Sequence, residues 1–243
     1  MIYTTNGIVL RTVKYGETSV VVSTLTALFG MQSYIVNGVR THGKNSKAHF
    51  FHPASLLEMQ VYHNELKNLQ RIKEVKWSYL YQQVFSDIIK NSVALYMVEL
   101  LQKSIRQPET NEDLFNFSED AFIQLDAASP EVTANFPIYF ALRLAQLLGL
   151  SISDNHSTQS KIFSVAEGKF VSNTLTGEPV VNEQVSFSIS HLLKAVHPSE
   201  LDEIRLNKTI RKAILATMEN YYQYHIAEFG SMKTLPVLHE LMG

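Results

Sequence analysis

The chain of 243 residues contains no cysteine, and this absence excludes several kinds of site. A disulfide scaffold, a thiolate nucleophile and a cysteine-ligated zinc or iron–sulfur centre all need the missing thiol. Histidine does not replace it, because the spacing of His42, His49, His52 and His63 matches no structural zinc pattern. We therefore predict a protein without a bound metal and without a cofactor.

Long apolar runs are missing as well. No uninterrupted run approaches the ~20 residues that are needed to cross a bilayer. The N-terminal stretch MIYTTNGIVLRTVKYG lacks the basic region and the apolar core of a signal peptide. The absence of both features predicts a cytoplasmic protein that does not enter a membrane.

The common catalytic motifs are also absent. The sequence contains no G-x-x-x-x-G-K-[ST] phosphate loop, no H-E-x-x-H zinc motif and no G-x-S-x-G nucleophile turn. Aspartate and glutamate are plentiful, but no spacing forces two of them into a shared site. We therefore predict that the protein is not an enzyme.

What the N-terminal part does contain is a series of five short runs rich in Val, Ile, Thr, Tyr and Leu. Three come first, separated by turns at Gly16 and Gly30, and two follow at 56–62 and 69–76. Five strands within 1–77 predict a small barrel. The five-stranded oligonucleotide-binding (OB) barrel is the leading candidate of that size.

The pattern of these runs also predicts which side chains share a face. Only five residues precede Asn6-Gly7, so we interpret this pair as a kink or bulge in a long first strand. Arg11 and Lys14 are three residues apart and fall on opposite faces unless a bulge intervenes. The last run alternates, with Leu69, Arg71, Lys73 and Val75 on one side and Gln70, Ile72, Glu74 and Lys76 on the other.

The charge of the chain differs between its two parts. Residues 1–77 carry nine Lys or Arg and four acids, a net charge of +5, and the remainder carries −7, in a chain with a total of −2. A basic barrel followed by an acidic body fits a phosphate-binding module joined to a domain that does not bind phosphate. The same numbers also fit ordinary scatter of surface charge.

The segment before the fourth run is the most polar part of the barrel. Arg40, Lys44 and Lys47 lie there among glycine, asparagine and serine, followed by Phe50 and Phe51. Cations attract phosphates and aromatic rings stack on bases, which is the usual chemistry of single-strand binding. For the two phenylalanines we favour the alternative, burial in the core, because large aromatic side chains are mostly buried.

After residue 77 the apolar period lengthens from two residues to about four. It predicts a helix that begins at Ser78 and ends before Pro108, then an acidic second helix within 109–131. A third helix at 132–148, apolar nearly all round, has Arg143 as its only charge. A lone arginine in such a setting needs a carboxylate or an anionic ligand.

The chain therefore divides into two predicted domains and belongs to the α+β class. The first is the OB barrel at 1–77. The second, at 78–243, is mostly α-helical and includes an irregular insert at about 151–186, where residues 161–171 predict two short strands around Glu167-Gly168.

Several short motifs resemble those of the RecO family of bacterial recombination and repair mediators. They are I-V-L-R at 8–11, Y-G-E at 15–17, G-M-x-S at 30–33 and G-V-R at 38–40, with looser similarity at 135–150 and 231–235. The resemblance implies an N-terminal OB barrel and a helical C-terminal domain. Many members carry paired Cys-x-x-Cys zinc motifs in the insert, and this chain has none, so the zinc site does not carry over.

The resemblance also implies a function and partners. A RecO-like protein binds single-stranded and double-stranded DNA and anneals complementary strands. With RecR it helps to load the RecA recombinase onto strands coated by the single-stranded-DNA-binding protein, whose acidic C-terminal tail it receives on its helical domain. For that tail the sequence offers Phe136, Tyr139, Phe140 and Arg143. The DNA contacts that we predict are Arg11, Lys14, Arg40, Lys44, Lys47 and Arg71.

Two alternative functions remain open from the residues alone. The OB barrel fits an adaptor that acts mainly through protein–protein contacts and touches nucleic acid weakly. It also fits an RNA-binding factor of translation or processing. Salt-dependent DNA affinity with strand annealing separates the first alternative from a DNA mediator, and competition by RNA separates the second.

Overall fold

The computed structural model of the protein describes residues 1–39, 47–105, 109–150, 152–173, 177 and 179–241. The chain forms two compact units. The first, the barrel unit, comprises Met1–Gln82 and Ile105–Ile123. The second, the helical unit, comprises Gln83–Ser104 and Gln124–Gly243.

Five strands close into a barrel in the order β1-β2-β3-β5-β4, which confirms the predicted OB architecture. The strands are β1 (Ile2–Tyr15), β2 (Ser19–Thr26), β3 (Gly30–Val36), β4 (Leu56–Tyr62) and β5 (Leu69–Tyr79). Neighbours are antiparallel except β3 and β5, whose parallel pairing at Ser33–Ile35 joins the two edges. The connections after β1 and β2 turn at Gly16 and Gly30, both of which have a positive φ that suits glycine.

The interior of the barrel is filled by alternate residues of all five strands. Val9, Val22, Tyr34 and Met59 are fully buried there. A short 3-10 turn (Ala48–Phe51) covers one end of this core: Phe51 is buried, and its carbonyl accepts a hydrogen bond from Thr12 Oγ1 at 2.7 Å. Burial of Phe51 follows the prediction that favoured the core.

Three register shifts, one between β1 and β2 and two between β4 and β5, lie at positions that the sequence pattern did not indicate. In β1 the register shifts between Val9 and Arg11, not at Asn6-Gly7, where pairing with β2 and β4 is regular. Arg11 and Lys14 both follow this shift and therefore lie on opposite faces, as predicted.

The bulge at Lys73 makes the predicted alternation of β5 wrong. Gln60 pairs with Glu74 and Val61 with Ile72, so Lys73 is the extra residue. Ile72 and Val75, which were assigned to opposite faces, both pack against the barrel core together with Trp77. The bulge shifts the alternation by one residue, and the apolar side chains on both sides of it then reach the core.

The first helix begins ten residues later than the pattern predicts. β5 continues to Tyr79 because Trp77 and Tyr79 pair with β4, and α1 (Ile88–Ser104) follows. Its cap is not Ser78 but Asp87, whose Oδ1 accepts hydrogen bonds from the backbone N–H groups of Ile89 and Lys90. Long-range strand pairing thus overrides the helical period in this segment.

The other helices are α2 (Glu112–Ala127), α3 (Pro130–Leu147), α4 (Glu183–Lys194), α5 (Lys208–His225) and α6 (Thr234–Leu241). The apolar α3 lies at the centre of the helical unit and contacts α1, α4 and α5. Glu99 of α1 holds α6, because its carboxylate accepts hydrogen bonds from the backbone N–H groups of Lys233 and Thr234 at 2.8 Å. No helix within the described residues has both the length and the apolar character that a membrane crossing needs.

The first prediction concerns Gly7, which lies against the barrel core. A methyl group on this residue would lie 2.7 Å from Thr24 Cγ2 and 2.5 Å from Met59 Cε. We expect Gly7→Ala to lower the free energy of unfolding by about 1–3 kcal/mol, the usual cost of overpacking. Urea denaturation measures this cost.

The matched test adds Thr24→Ser, which removes the Cγ2 methyl group of Thr24. The flexible end of the Met59 side chain can then move away from the new methyl group. The double variant Gly7→Ala/Thr24→Ser should recover part of the loss relative to the sum of the two single changes. Additive effects would show that the two positions do not clash.

Candidate nucleic-acid interface

Two predicted DNA contacts share the outer face of the barrel. Arg11 pairs with Ser23 of β2. Two residues further along β1, on the same face, a row of paired residues crosses four strands: Val13, Val21, Ile35 and Arg71. Along this row Arg71 is three strand spacings from Val13, about 14 Å along the sheet. Both arginines are exposed. The closed barrel thus brings together two cations that are 60 residues apart in the sequence.

Two further predicted contacts lie at the end of the barrel covered by the 3-10 turn. Lys14 pairs with the buried Val20 and is on the same side of β1 as Thr12, whose hydroxyl holds the turn through Phe51. Lys47 directly precedes this turn, and its carbonyl accepts a hydrogen bond from the Phe50 N–H. Both lysines are exposed.

Arg40 and Lys44 lie outside the described residues. Their assignment as DNA contacts stays a prediction.

The cations of the barrel fall into two groups: those that pair with a carboxylate, and those that do not. Lys76 pairs with Glu58 at 2.9 Å, and Lys73 contacts Glu74 at 3.5 Å and Gln60 Oε1 at 3.1 Å. The side chains of Arg11, Lys14, Lys47 and Arg71, by contrast, have no hydrogen-bond or ion-pair partner among the described residues, and neither has that of Lys67, which was not predicted as a contact. These five charges are available to an anion.

An aromatic cluster that the sequence pattern did not predict accompanies Lys47. Phe50 is half-buried, unlike Phe51, and its ring centroid lies 5.1 Å from that of Trp77 and 4.3 Å from that of the exposed His49. Because of the bulge in β5, the Trp77 ring lies on the side of the strand that faces Phe50. The sequence signals for the cluster are Phe50, which follows Lys47 in the polar segment, and Trp77, the single tryptophan of the chain.

In the helical unit, the four residues predicted to receive a partner tail lie on α3 with different exposures. Phe136 and Phe140 are fully buried, so they support the surface from below and do not form it. Tyr139 is 5% exposed, and its hydroxyl donates to the Val196 carbonyl at 3.0 Å. Burial raises the pKa of this hydroxyl, an effect that the neighbouring Arg143 partly opposes.

Arg143 has neither the carboxylate nor the anion that the sequence indicated. Its guanidinium donates to Gln146 Oε1 at 3.0 Å and to the Ala195 carbonyl at 2.7 Å, and it lies 5.9 Å from the centroid of the Tyr139 ring. In the described part of the chain no ion pair involves it. Neutral oxygen atoms therefore satisfy the hydrogen bonds and leave the positive charge uncompensated.

The insert contains the two predicted strands, β6 (Ile162–Ser164) and β7 (Lys169–Val171), which pair with each other. Phe163 and Phe170 are buried at its centre. The Asn155 side chain accepts a hydrogen bond from the Phe170 N–H at 2.7 Å and donates to the Phe170 carbonyl at 2.9 Å. Side-chain hydrogen bonds and aromatic packing thus hold this segment without any thiol.

Among the residues that the structure describes, no three His, Asp or Glu side chains gather where they could hold a metal ion.

These features define the class of the protein. A closed five-stranded barrel with uncompensated cations on its surface, followed in the sequence by a helical part, is an OB-barrel protein with a helical body. Comparison with known proteins narrows the class to a family. The family model "Recombination protein O N terminal" matches residues 1–81, and "Recombination protein O C terminal" matches residues 85–234.

Curated relatives match over nearly the whole chain. The protein of Flavobacterium psychrophilum is 31% identical, with 98% of each chain covered, and that of Phocaeicola vulgatus is 30% identical, with 100% of each chain covered. A relative from Azobacteroides pseudotrichonymphae is 27% identical over 99% of each chain. All three carry the name "DNA repair protein RecO". The chain belongs to the RecO family.

The second prediction concerns metal content. Because the chain has no cysteine and its histidines have no zinc-site spacing, we expect protein purified from zinc-containing medium to hold well under one zinc per chain. A chelator should leave the thermal unfolding midpoint unchanged. Metal analysis showing one zinc per chain, lost together with the fold on chelation, would contradict this expectation.

Proposed function

We propose that the protein is a DNA repair and recombination mediator that binds single-stranded and double-stranded DNA and anneals complementary strands. With RecR it helps to load RecA onto strands coated by the single-stranded-DNA-binding protein, and it acts in the cytoplasm without covalent chemistry. Membership of the RecO family supports this proposal. The observation that carries it is the group of uncompensated cations on the barrel that includes Arg11, Lys14, Lys47 and Arg71.

The physical basis of annealing is the repulsion between two phosphate backbones. Cations that neutralise phosphates release counterions and allow the strands to approach each other. Arg11 and Arg71 lie on the outer face of the barrel, and Lys14 and Lys47 lie at one end. Two separate groups of charges can each hold a backbone. Phosphate contacts position a strand without reading its bases, so the same surface serves any sequence.

The partner tail is acidic and hydrophobic, and such a ligand needs a cation beside an apolar surface. Arg143 meets the first need because its charge is uncompensated among the described residues. Charge-assisted hydrogen bonds to a carboxylate are stronger than its present bonds to neutral oxygen atoms. Tyr139, packed over Phe136, supplies the aromatic surface at its side.

The third prediction tests the polar segment before β4. Replacing Arg40, Lys44 and Lys47 together by Ala should lower the slope of log affinity against log salt for single-stranded DNA by about 2 units, at roughly 0.7 per phosphate contact. The loss should be nearly independent of base sequence, and annealing should fall with it. Binding of the partner tail should not change, because that site belongs to the helical unit.

The matched control removes the same charge from compensated positions. Lys73, Lys76 and Lys169 each lie within 4 Å of a carboxylate, so their triple Ala variant should keep the wild-type slope. If log affinity plotted against log salt has the same slope for the Arg40/Lys44/Lys47 variant as for wild type, this segment does not bind the DNA backbone. The DNA path then follows Arg11, Lys14 and Arg71, whose triple Ala variant should show the missing 2 units at the same ~0.7 per contact.

The fourth prediction tests Arg143 with a peptide of the tail of the single-stranded-DNA-binding protein. Arg143→Ala should weaken tail binding by about 1.5–3 kcal/mol, the range for a hydrogen bond to a charged group. Fluorescence anisotropy of a labelled peptide measures the affinity.

Lys194→Ala is the charge-matched control for Arg143→Ala. Lys194 is an exposed cation of the same helical unit, 3.7 Å from Asp154, and its removal should leave tail affinity unchanged. Thermal unfolding checks that loss of the Arg143 bond to Ala195 has not unfolded the variant. Unchanged tail affinity in a folded Arg143→Ala protein would remove this residue from the site.

A further inference from the structure

Three aromatic rings form a cluster at the end of the barrel covered by the 3-10 turn. The ring centroids of His49 and Phe50 lie 4.3 Å apart, those of Phe50 and Trp77 5.1 Å, and those of His49 and Trp77 6.3 Å. The planes are tilted against one another by 38–39°. We call this group the aromatic cluster.

Only part of this cluster is needed for packing. Phe51 is the residue of the turn that enters the core, with 3% of its surface exposed. Phe50 and Trp77 pack against the core but stay half-buried, and His49 is exposed. An exposed ring tilted against two half-buried rings adds little to the core. It does extend an aromatic surface into solvent, where a further flat ring can stack.

The charges beside the cluster fit a ligand with phosphate groups. Lys47 is two residues from His49 and has no side-chain partner among the described residues, and Lys14 lies at the same end of the barrel. Lys76 is next to Trp77 but is compensated by Glu58. Free cations next to exposed rings are the combination that holds a backbone and its bases together.

We infer that the aromatic cluster is a stacking site for the unpaired bases of single-stranded DNA. This inference rests on the proposed function and adds to it the means by which the barrel distinguishes a single strand from a duplex. Bases within a duplex are already stacked on their neighbours and cannot reach the rings. The uncompensated cations bind both forms, and the aromatic cluster binds only the single strand.

Trp77 provides a direct test because it is the only tryptophan of the chain. A base that stacks on the cluster changes Trp77 fluorescence, and a phosphate contact elsewhere does not. The protein is titrated with oligothymidylate, with an abasic oligonucleotide of the same length, and with duplex DNA. We expect quenching by oligothymidylate alone, although all three ligands bind.

Variants of His49 separate stacking from charge and from folding. His49→Ala should lower the affinity for oligothymidylate about 5- to 150-fold, the range of one base–aromatic stack, and should leave the affinity for abasic and duplex DNA unchanged. His49→Phe should restore the affinity, and His49→Leu should not, because an aliphatic side chain offers no aromatic face. The exposure of His49 makes these variants fold normally, which thermal unfolding checks.

The outcomes distinguish this inference from the proposed function. Failure of all three nucleic acids to bind would overturn both. Salt-dependent binding with equal affinity for the abasic and the normal strand, no fluorescence change and no effect of His49→Ala would overturn the stacking site alone. Equal quenching by duplex and single strand would overturn the discrimination between the two forms.

Discussion

The parallel pairing of β3 with β5 is the contact on which the arrangement of the barrel surface depends. Without it the five strands form an open sheet with β3 at one edge and β5 at the other. With it, Ile35 pairs with Arg71, and the row of paired residues that contains Arg71 lies two residues from the row of Arg11, on the same face. Where they pair, closure also protects the edges of β3 and β5 from unwanted pairing. The same contact therefore stabilises the fold and concentrates its positive charge.

The sequence predicted the barrel well and its faces only in part. Strand length, composition and glycine turns are local properties, and they indicated all five strands correctly. A bulge depends on the partner strand, and single-sequence periodicity contains no information about it. The extra residue at Lys73 reversed the assignment of Val75 and brought Trp77 to the end of the barrel. For this reason the contact of Phe50 with Trp77 could not be predicted from the sequence, whereas Phe50 itself and the cations beside it could.

In the helical unit, what the sequence missed was the identity of the hydrogen-bond partners. In the sequence, the apolar period of α1 extends back to Ser78. Trp77 and Tyr79, however, pair with β4 and belong to the sheet, and Asp87 caps the helix. A charged side chain in an apolar helix indicates a partner without specifying which. For Arg143 the structure supplies neutral oxygen atoms of Gln146 and Ala195 and not a carboxylate. That difference determines whether the charge remains available to a ligand.

The two proposals for the barrel fit together through the chemistry of annealing. A protein that anneals strands has to hold one strand in order while its Watson–Crick edges stay free for the complementary strand. Cations grip the backbone, and stacking engages the face of a base, so neither occupies the edge that pairs. Once a duplex forms, its bases stack on one another and leave the aromatic cluster, while phosphate contacts persist. Under these two proposals, a surface built from Lys14, Lys47 and the aromatic cluster holds the single strand more tightly than the product, and this difference favours release after pairing.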